Sequence, residues 1–409
     1  MDDHTVGPDG VDGPGLVEVG SVPEPRPGHS AEMGDHHQAM MAVSDDGDEM
    51  SAAQPDCDNL CDDDTRDATL LNIPVYAFLH MLQFLDAKDI CNLSATCRQF
   101  HSFCNDQLLW KSVLDKDMVK WSEVSNGTYP SNFTAQGQGV DYKDVYMRCN
   151  PELQKEPAFN LSSIPRFLRS FLPSRHSPIF VMFGPGLETD TSTIVRKLIS
   201  GQDSSIIKVN GVFAAMYPGV GTGFELTVNK KNRFRLVVLY SATRKERESR
   251  GDDQPRMSKL IKRVSPVPED SNAEGAVHGE RGAGAGPDPQ EEDFMNFEPN
   301  DHVKSMLRDV GGFVFVVDAS QNLKKGYCSA SRPELFAFMD PKWTPERKPL
   351  LVLSSIAEAE TPRVPCVKMA DQLSLQKLQR PWKVVDCEVD SLSGLTEGVD
   401  WLMGQAQRV

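Results

Sequence analysis

Along the first third of the chain the apolar positions fall at helical spacing. Between Leu70 and Trp110, residues Phe78, Leu82 and Leu85, with Leu79 and Met81 beside them, mark one stripe. Ile73-Pro74 precedes it, and proline, with a fixed φ and no N–H, suits the first turn of a helix. Asp86-Ala87-Lys88-Asp89 interrupts the apolar run. Ile90, Leu93, Cys97 and Phe100 then start a second stripe, and Leu108, Leu109 and Trp110 begin a third that continues to Val113 and Leu114. Three short helices bury little surface, so residues 70–113 are expected to need a partner surface.

Residues 114–177 carry Trp121, Tyr142, Val145, Tyr146, Phe167, Leu168, Phe171 and Leu172, enough for two or three helices. They are expected to form a helical linker, with loops at Asn126-Gly127 and near Gly139. From Pro178 the rhythm changes. Ile179 to Phe183, Phe313 to Val317 and Leu350 to Leu353 are continuous apolar runs, as buried parallel strands are. Phe224 to Val228 alternates, Lys230-Lys231-Asn232 turns, and Phe234 to Tyr240 answers as the second strand of a hairpin. Trp382 to Val385 reads as a strand, and Ile194 to Ile199 and Thr396 to Gln405 as helices. Alternating strand and helix signals predict an α/β domain over 178–409 with a mostly parallel sheet and flanking helices.

Two stretches have no such rhythm. Residues 1–69 hold 18 Asp and Glu against Arg26 and Arg66, a net charge of −16 that equals that of the whole chain. They predict a disordered acidic tail. The remainder is formally neutral, which gives no argument for nucleic-acid binding. Residues 245–297, with Gly282 to Gly286 and several prolines, read as a disordered insertion, with Met257 to Val264 as a short helix inside it. Ser44 precedes an acidic run and Ser265 a proline. An unmodified tail and a plain turn are the preferred readings of those two sites.

No run approaches a membrane span, and the acidic start does not resemble a secretory signal. The expected location is the cytoplasm, with the nucleus as a second compartment. There the nine cysteines are free thiols, and the sequons at Asn126, Asn132 and Asn160 carry no glycan. Cys57 and Cys61 lack a matching second pair, so no metal is expected.

A strand, a Gly-rich turn and a helix in succession is where a phosphate-binding loop would sit. Counted from Gly184, the second glycine of that loop falls on Thr189, its lysine on Asp190 and its Ser/Thr on Thr191. An aspartate in the lysine position, with Glu188 nearby, sets like charge beside phosphate.

The opening helices resemble the F-box, the module that docks substrate receptors of cullin-type ubiquitin ligases onto a Skp-family adaptor. The likeness lies in Ile73-Pro74, Met81-Leu82-x-Phe84-Leu85, Asp89-Ile90, Cys97-Arg98-x-Phe100 and Leu109-Trp110, with Tyr76-Ala77 as a departure. The C-terminal part resembles small GTPases of the ADP-ribosylation-factor type. There the likeness lies in Met369 to Trp382, Ser391 to Leu402 and Gly311 to Asp318. Tyr240-Ser241-Ala242-Thr243 replaces that family's magnesium turn, and Ser354 to Glu358 replaces its guanine reader. Neither an active GTPase nor bound nucleotide is therefore expected.

The combination resembles a family of F-box substrate receptors with a degenerate GTPase-like domain. Its further marks are Met182 to Glu188, Leu239 to Arg247, Pro349 to Ser354, Arg363 to Cys366, Asp141-Tyr142 and Val145-Tyr146. The resemblance implies a non-catalytic ligase subunit that reaches cullin and RING subunits through the adaptor and uses no cofactor. It also implies a telomere repeat-binding factor and D-type cyclins as substrates. Homodimerisation is left open. The residues expected to face the adaptor, or to support that face, are Ile73, Pro74, Leu82, Leu85, Ile90, Leu93 and Trp110. For substrate, the strand bearing Phe224, Leu226 and Val228 is expected at a sheet edge, where it could accept a partner strand. Lys230, Lys231 and Arg233 could equally serve to protect that edge. Two other readings stay open: a GTP-binding switch, and a scaffold that passes nothing to ubiquitination.

Overall fold

The computed structural model describes residues 73–135, 139–154, 177–200, 207–214, 221–249, 258–264, 296–320 and 327–408. The expectations for the acidic tail with Ser44, Cys57 and Cys61, for Phe167 to Leu172, and for Ser265 and Gly282 to Gly286 lie outside these residues.

The first region is helical, but it holds four helices where three were predicted. They are α1 (Val75–Leu82), α2 (Ala87–Ser94), α3 (Arg98–Cys104) and α4 (Gln107–Met118). The second predicted stripe splits because the chain leaves the helix at Ala95-Thr96 and restarts at Cys97, whose Sγ accepts the Phe100 N–H at 3.5 Å. Asp86 caps α2 by accepting the Asp89 N–H at 2.8 Å. Asp106 caps α4 by accepting the N–H groups of Leu108 and Leu109 at 2.9 and 3.0 Å. Each cap satisfies donors that a helix start leaves open, a stabilisation of about 1 kcal/mol. Phe78, Leu82, Ile90, Cys104, Leu109 and Trp110 are buried at the centre, with the Phe78 and Phe100 rings stacked at 5.2 Å. The Trp110 indole Nε1 donates to the Cys104 carbonyl at 2.7 Å.

The segment that follows is more than a helical linker. It contains β1 (Glu123–Ser125), α5 (Ser131–Thr134), α6 (Tyr142–Cys149) and α7 (Pro151–Gln154). Of these, β1 joins the main sheet. Three residues with one buried position are too short to show an alternation in the sequence.

The sheet domain adds β2 (Ile179–Phe183), α8 (Thr193–Ser200), β3 (Ile207–Ala214), β4 (Gly221–Val228), β5 (Asn232–Leu239) and α9 (Arg244–Ser249). It continues with β6 (Ile261–Arg263), β7 (Phe297–Pro299), α10 (Asp301–Leu307), β8 (Gly312–Asp318) and α11 (Tyr327–Met339). It ends with β9 (Leu350–Ile356), α12 (Cys366–Gln372), β10 (Trp382–Glu388) and α13 (Leu395–Ala406). The strand order is β1-β10-β9-β8-β2-β5-β4-β3. From β10 through β5 the pairs are parallel, while β1, β4 and β3 are antiparallel to their neighbours. This is the predicted mostly parallel sheet. Its central strands are buried on both sides, as their unbroken apolar runs require. Phe183, Phe313 and Phe315 face a core shared with α10, α11 and α12, whereas Met182, Val314 and Val316 face one shared with α8 and α13.

Two expectations are corrected here. Residues 258–264 form a turn and β6, not a helix, and β6 pairs with β7 in a two-stranded ribbon. More important, the strand of Phe224, Leu226 and Val228 is not an edge. It is β4, paired with β5 on one side and β3 on the other, and all three side chains are buried. The edge strand is β3. Its alternation is broken by an irregularity at Val209/Gly211, which hides it from a period-two search.

Candidate functional site

Helix α1 has two apolar sides. Phe78 and Leu82 point inward, while Tyr76 and His80 lie along the other side, and Phe84 follows in the turn after the helix. Two residues along a helix turn it by roughly 200°, so the two series oppose each other. Tyr76 is 88% exposed, Phe84 76% and, on α4, Leu108 76%, with Val75 and Met81 about half exposed. The His80 and Phe84 rings meet edge-on at 5.3 Å. Lys116 of α4 donates to the Gln83 carbonyl at 3.0 Å and ties down the end of this helix. Tyr76, Phe84 and Leu108 thus leave large apolar side chains facing water.

Of the residues expected to face an adaptor or to support that face, Leu82, Ile90 and Trp110 are buried in the domain's own core, where only the supporting place is open to them. Ile73, Leu85 and Leu93 are half-buried against that core, and Pro74 is exposed. Sequence reasoning did not single out Tyr76, Phe84 and Leu108 as exposed apolar residues. The signal was present: a short helix with aromatic residues on the side opposite its buried stripe presents two faces, not one.

At the far end of the sheet, no described residue pairs with the outer side of β3. Val212 of that strand is 65% exposed. On β4, Gly223 leaves a gap that the Phe213 ring of β3 fills. A Cβ there would lie 2.2 Å from the ring.

Where a phosphate-binding loop would lie after β2, the chain instead makes two tight 3-10 turns, Pro185–Glu188 and Asp190–Ser192. Gly184 has φ +121°, and a Cβ there would sit 2.4 Å from the Val316 carbonyl oxygen. Gly186 is similarly close to Val316 and Val317, so the turn lies flat on β8. The Glu188 carboxylate accepts the Ser241 N–H at 2.9 Å and also the Ser241 hydroxyl. Thr191, fully buried, donates to the Gly186 carbonyl at 2.7 Å. Among the described residues no group of three or more His, Cys, Asp or Glu is arranged to hold a metal.

Comparison with known proteins adds a likeness to this geometry. Residues 70–116 match the F-box-like family. These helices are an F-box-like domain. The likeness to known proteins also runs well past it. The chain is 28% identical over 357 residues to F-box only protein 4 of Bos taurus, covering 84% of this chain and 85% of that protein. It is 28% identical over 358 residues to F-box only protein 4 of Homo sapiens, with 84% and 85% covered. To that of Mus musculus it is 27% identical over 354 residues, with 83% and 85% covered.

The F-box-like domain is joined to the sheet through side chains. Tyr146 of α6 donates to Asp117 of α4 at 2.9 Å, and burial with that carboxylate pushes its phenol well above the usual range. Its ring lies 5.5 Å from that of Trp110. Beyond β1, Tyr129 donates to Asp371 of α12, and its ring meets that of Trp382 at 5.6 Å. Burial first, and that hydrogen bond second, push the Tyr129 phenol up to about 12. At the β1–β10 joint the Asp386 N–H donates to the Ser122 carbonyl at 2.8 Å. The Cys366 thiol lies 2.9 Å from the Asp386 carboxylate and 3.4 Å from the same carbonyl. Arg363 pairs with Asp386 at 3.0 Å. Burial pushes the Asp386 carboxyl up to about 6, against the opposing pull of Arg363 and the thiol.

Proposed function

We propose that this chain is a non-catalytic substrate receptor of a Skp–cullin–F-box ubiquitin ligase. One observation carries the reading: the F-box-like domain presents Tyr76, Phe84 and Leu108 outward from a core that is already complete without them. A Skp-family adaptor covers this surface, with Pro74, Val75 and Met81 at its margin, and connects the chain to cullin and RING subunits. Leu82, Ile90 and Trp110 hold the helices in place behind it.

The sheet domain holds the substrate. It has the outline of a small GTPase without the chemistry. A like charge stands where the loop lysine would be, and the protein's own Glu188 occupies the Ser241 amide beside the turn. No nucleotide is part of this reading. The outer edge of β3 from Lys208 to Val212, which no described strand pairs, takes up an extended segment of the substrate and adds a strand to the sheet. The receptor then supplies proximity to chemistry carried out by another protein. The resemblance to F-box only protein 4 makes a telomere repeat-binding factor and a D-type cyclin the first substrates to test.

Reconstitution with adaptor, cullin, RING subunit, conjugating enzyme and each candidate substrate tests the reading. Ubiquitin chains should form on at least one substrate and disappear when Tyr76 and Phe84 are both changed to aspartate. Substrate binding and adaptor binding without any ubiquitination would instead indicate a scaffold.

A further inference from the structure

The outer edge of β3 carries its own chemical specification, and the inference drawn from it rests on reading that edge as the substrate site. Across the three antiparallel strands the side chains line up in rows. On the face away from Phe224, Leu226 and Val228, Lys208 stands beside Thr227, and Thr227 beside Arg233. The next row runs Gly211, Glu225, Arg235. Glu225 is paired with Arg233 at 2.8 Å. Lys208 and Arg235 are exposed and have no carboxylate partner among the described residues. Any strand added outside Lys208 extends its row directly.

The irregularity in β3 sets the spacing. Val209 opposes Leu226 and Gly211 opposes Glu225, which leaves Asn210 as an extra residue. Its Nδ2 donates to the Thr227 hydroxyl at 2.7 Å. A bulge of this kind shifts the residues after it to the other face. Lys208 therefore lies on the polar face, whereas Val212 lies on the opposite one, beside Phe224, and extends into solvent. A strand without a bulge, run in either direction along this edge, meets Lys208 and Val212 with two residues three positions apart, one on each face. Direct cross-strand neighbours favour opposite charge beside a lysine, and a β-branched or aromatic side chain beside a valine.

We infer that the β3 edge selects extended segments in which an Asp or Glu and a β-branched or aromatic residue stand three positions apart, the acid against Lys208 and the apolar residue against Val212. A lysine or arginine in the acidic position meets Lys208 instead, and is rejected.

The test uses the full chain and short capped Thr-rich peptides. One peptide carries Glu and Val three positions apart. A second has Lys in place of Glu, a third sets Glu and Val two positions apart, and a fourth is the first with alternate backbone nitrogens methylated. Fluorescence anisotropy at low salt gives affinity, and hydrogen exchange of residues 207–214 gives the location. The first peptide should bind about two- to fivefold more tightly than the second and third. Lys208→Glu should reverse the order of the first two, and the methylated peptide should not bind. Equal binding of the first three peptides, unmoved by Lys208→Glu but abolished by methylation, overturns the specificity while edge pairing stands. Absence of protection at 207–214 with every peptide overturns both.

Discussion

The carboxylate of Glu188 accepts the backbone N–H of Ser241 at 2.9 Å, together with the Ser241 hydroxyl, across the gap between the ends of β2 and β5. Backbone amides at such a place are what an anionic ligand would need, and here a side chain of the same molecule has taken one of them. Gly184 and Gly186 then hold the turn against β8, with no space even for a Cβ.

That relationship predicts the response to nucleotide. Fluorescent GTP or GDP with magnesium should give no anisotropy change with the intact protein. Glu188→Gln should not create binding, because Asp190 still stands in the lysine position. The substitution should lower stability by about 1–3 kcal/mol through loss of a charged acceptor. Urea unfolding of both forms checks that number, and micromolar nucleotide binding by either form would revive the switch reading.

The two sides of α1 predict opposite phenotypes. Leu82→Ala should destabilise the protein by about 2–5 kcal/mol, as large-to-small changes in a core do. Tyr76→Asp with Phe84→Asp should shift stability by less than about 1 kcal/mol, because both side chains already face water. Thermal melts of the isolated chain separate the two. Comparable destabilisation would show that Tyr76 and Phe84 belong to the core.

Strand β4 predicts a third result. Thr227→Pro removes a ladder N–H from an interior strand, so it should cost about 3 kcal/mol or more and broaden or abolish cooperative unfolding. Binding lost in that variant would report unfolding and not recognition. Lys208→Glu, on the exposed edge, should leave the melting temperature nearly unchanged.

Asp386 predicts a pH dependence with an unusual sign. Burial raises its folded-state value to about 6 from the ordinary 3.8 of an aspartate, so between those values the folded state holds a proton that the unfolded state has released. Stability from this group is therefore fully present below about pH 4, falls as pH rises to about 6, and is constant above. The total is about 3 kcal/mol by linkage. In Asp386→Asn this component should vanish, so the difference in unfolding free energy between the two proteins should vary over that window and level off above it. A difference independent of pH would place the titration elsewhere.

The parts of the fold legible in the sequence were those in which burial is continuous. Ile179 to Phe183, Phe313 to Val317 and Leu350 to Leu353 are covered on both faces, so no register is needed to find them. Asp86 and Asp106 also mark helix starts by chemistry that acts over three residues, a signal that the apolar stripes alone did not carry. Strand β1 was illegible because its stability comes from pairing with β10, a partner more than two hundred residues away. Strand β3 was illegible because Asn210 breaks its period, and missing it made β4 look like the edge. On α1, periodicity found Phe78 and Leu82 because a core imposes a stripe. Tyr76 and Phe84 are exposed and out of phase with that stripe, and under the proposed function they answer to an adaptor surface that this chain's sequence does not contain.

The most direct measurement is co-purification of the full chain with a Skp-family adaptor, followed by size-exclusion chromatography, for the unmodified protein and for Tyr76→Asp with Phe84→Asp. A stable stoichiometric complex is expected for the first and none for the second, with both proteins folded. Failure of the unmodified chain to bind the adaptor, or unchanged binding by the double variant, would contradict the account.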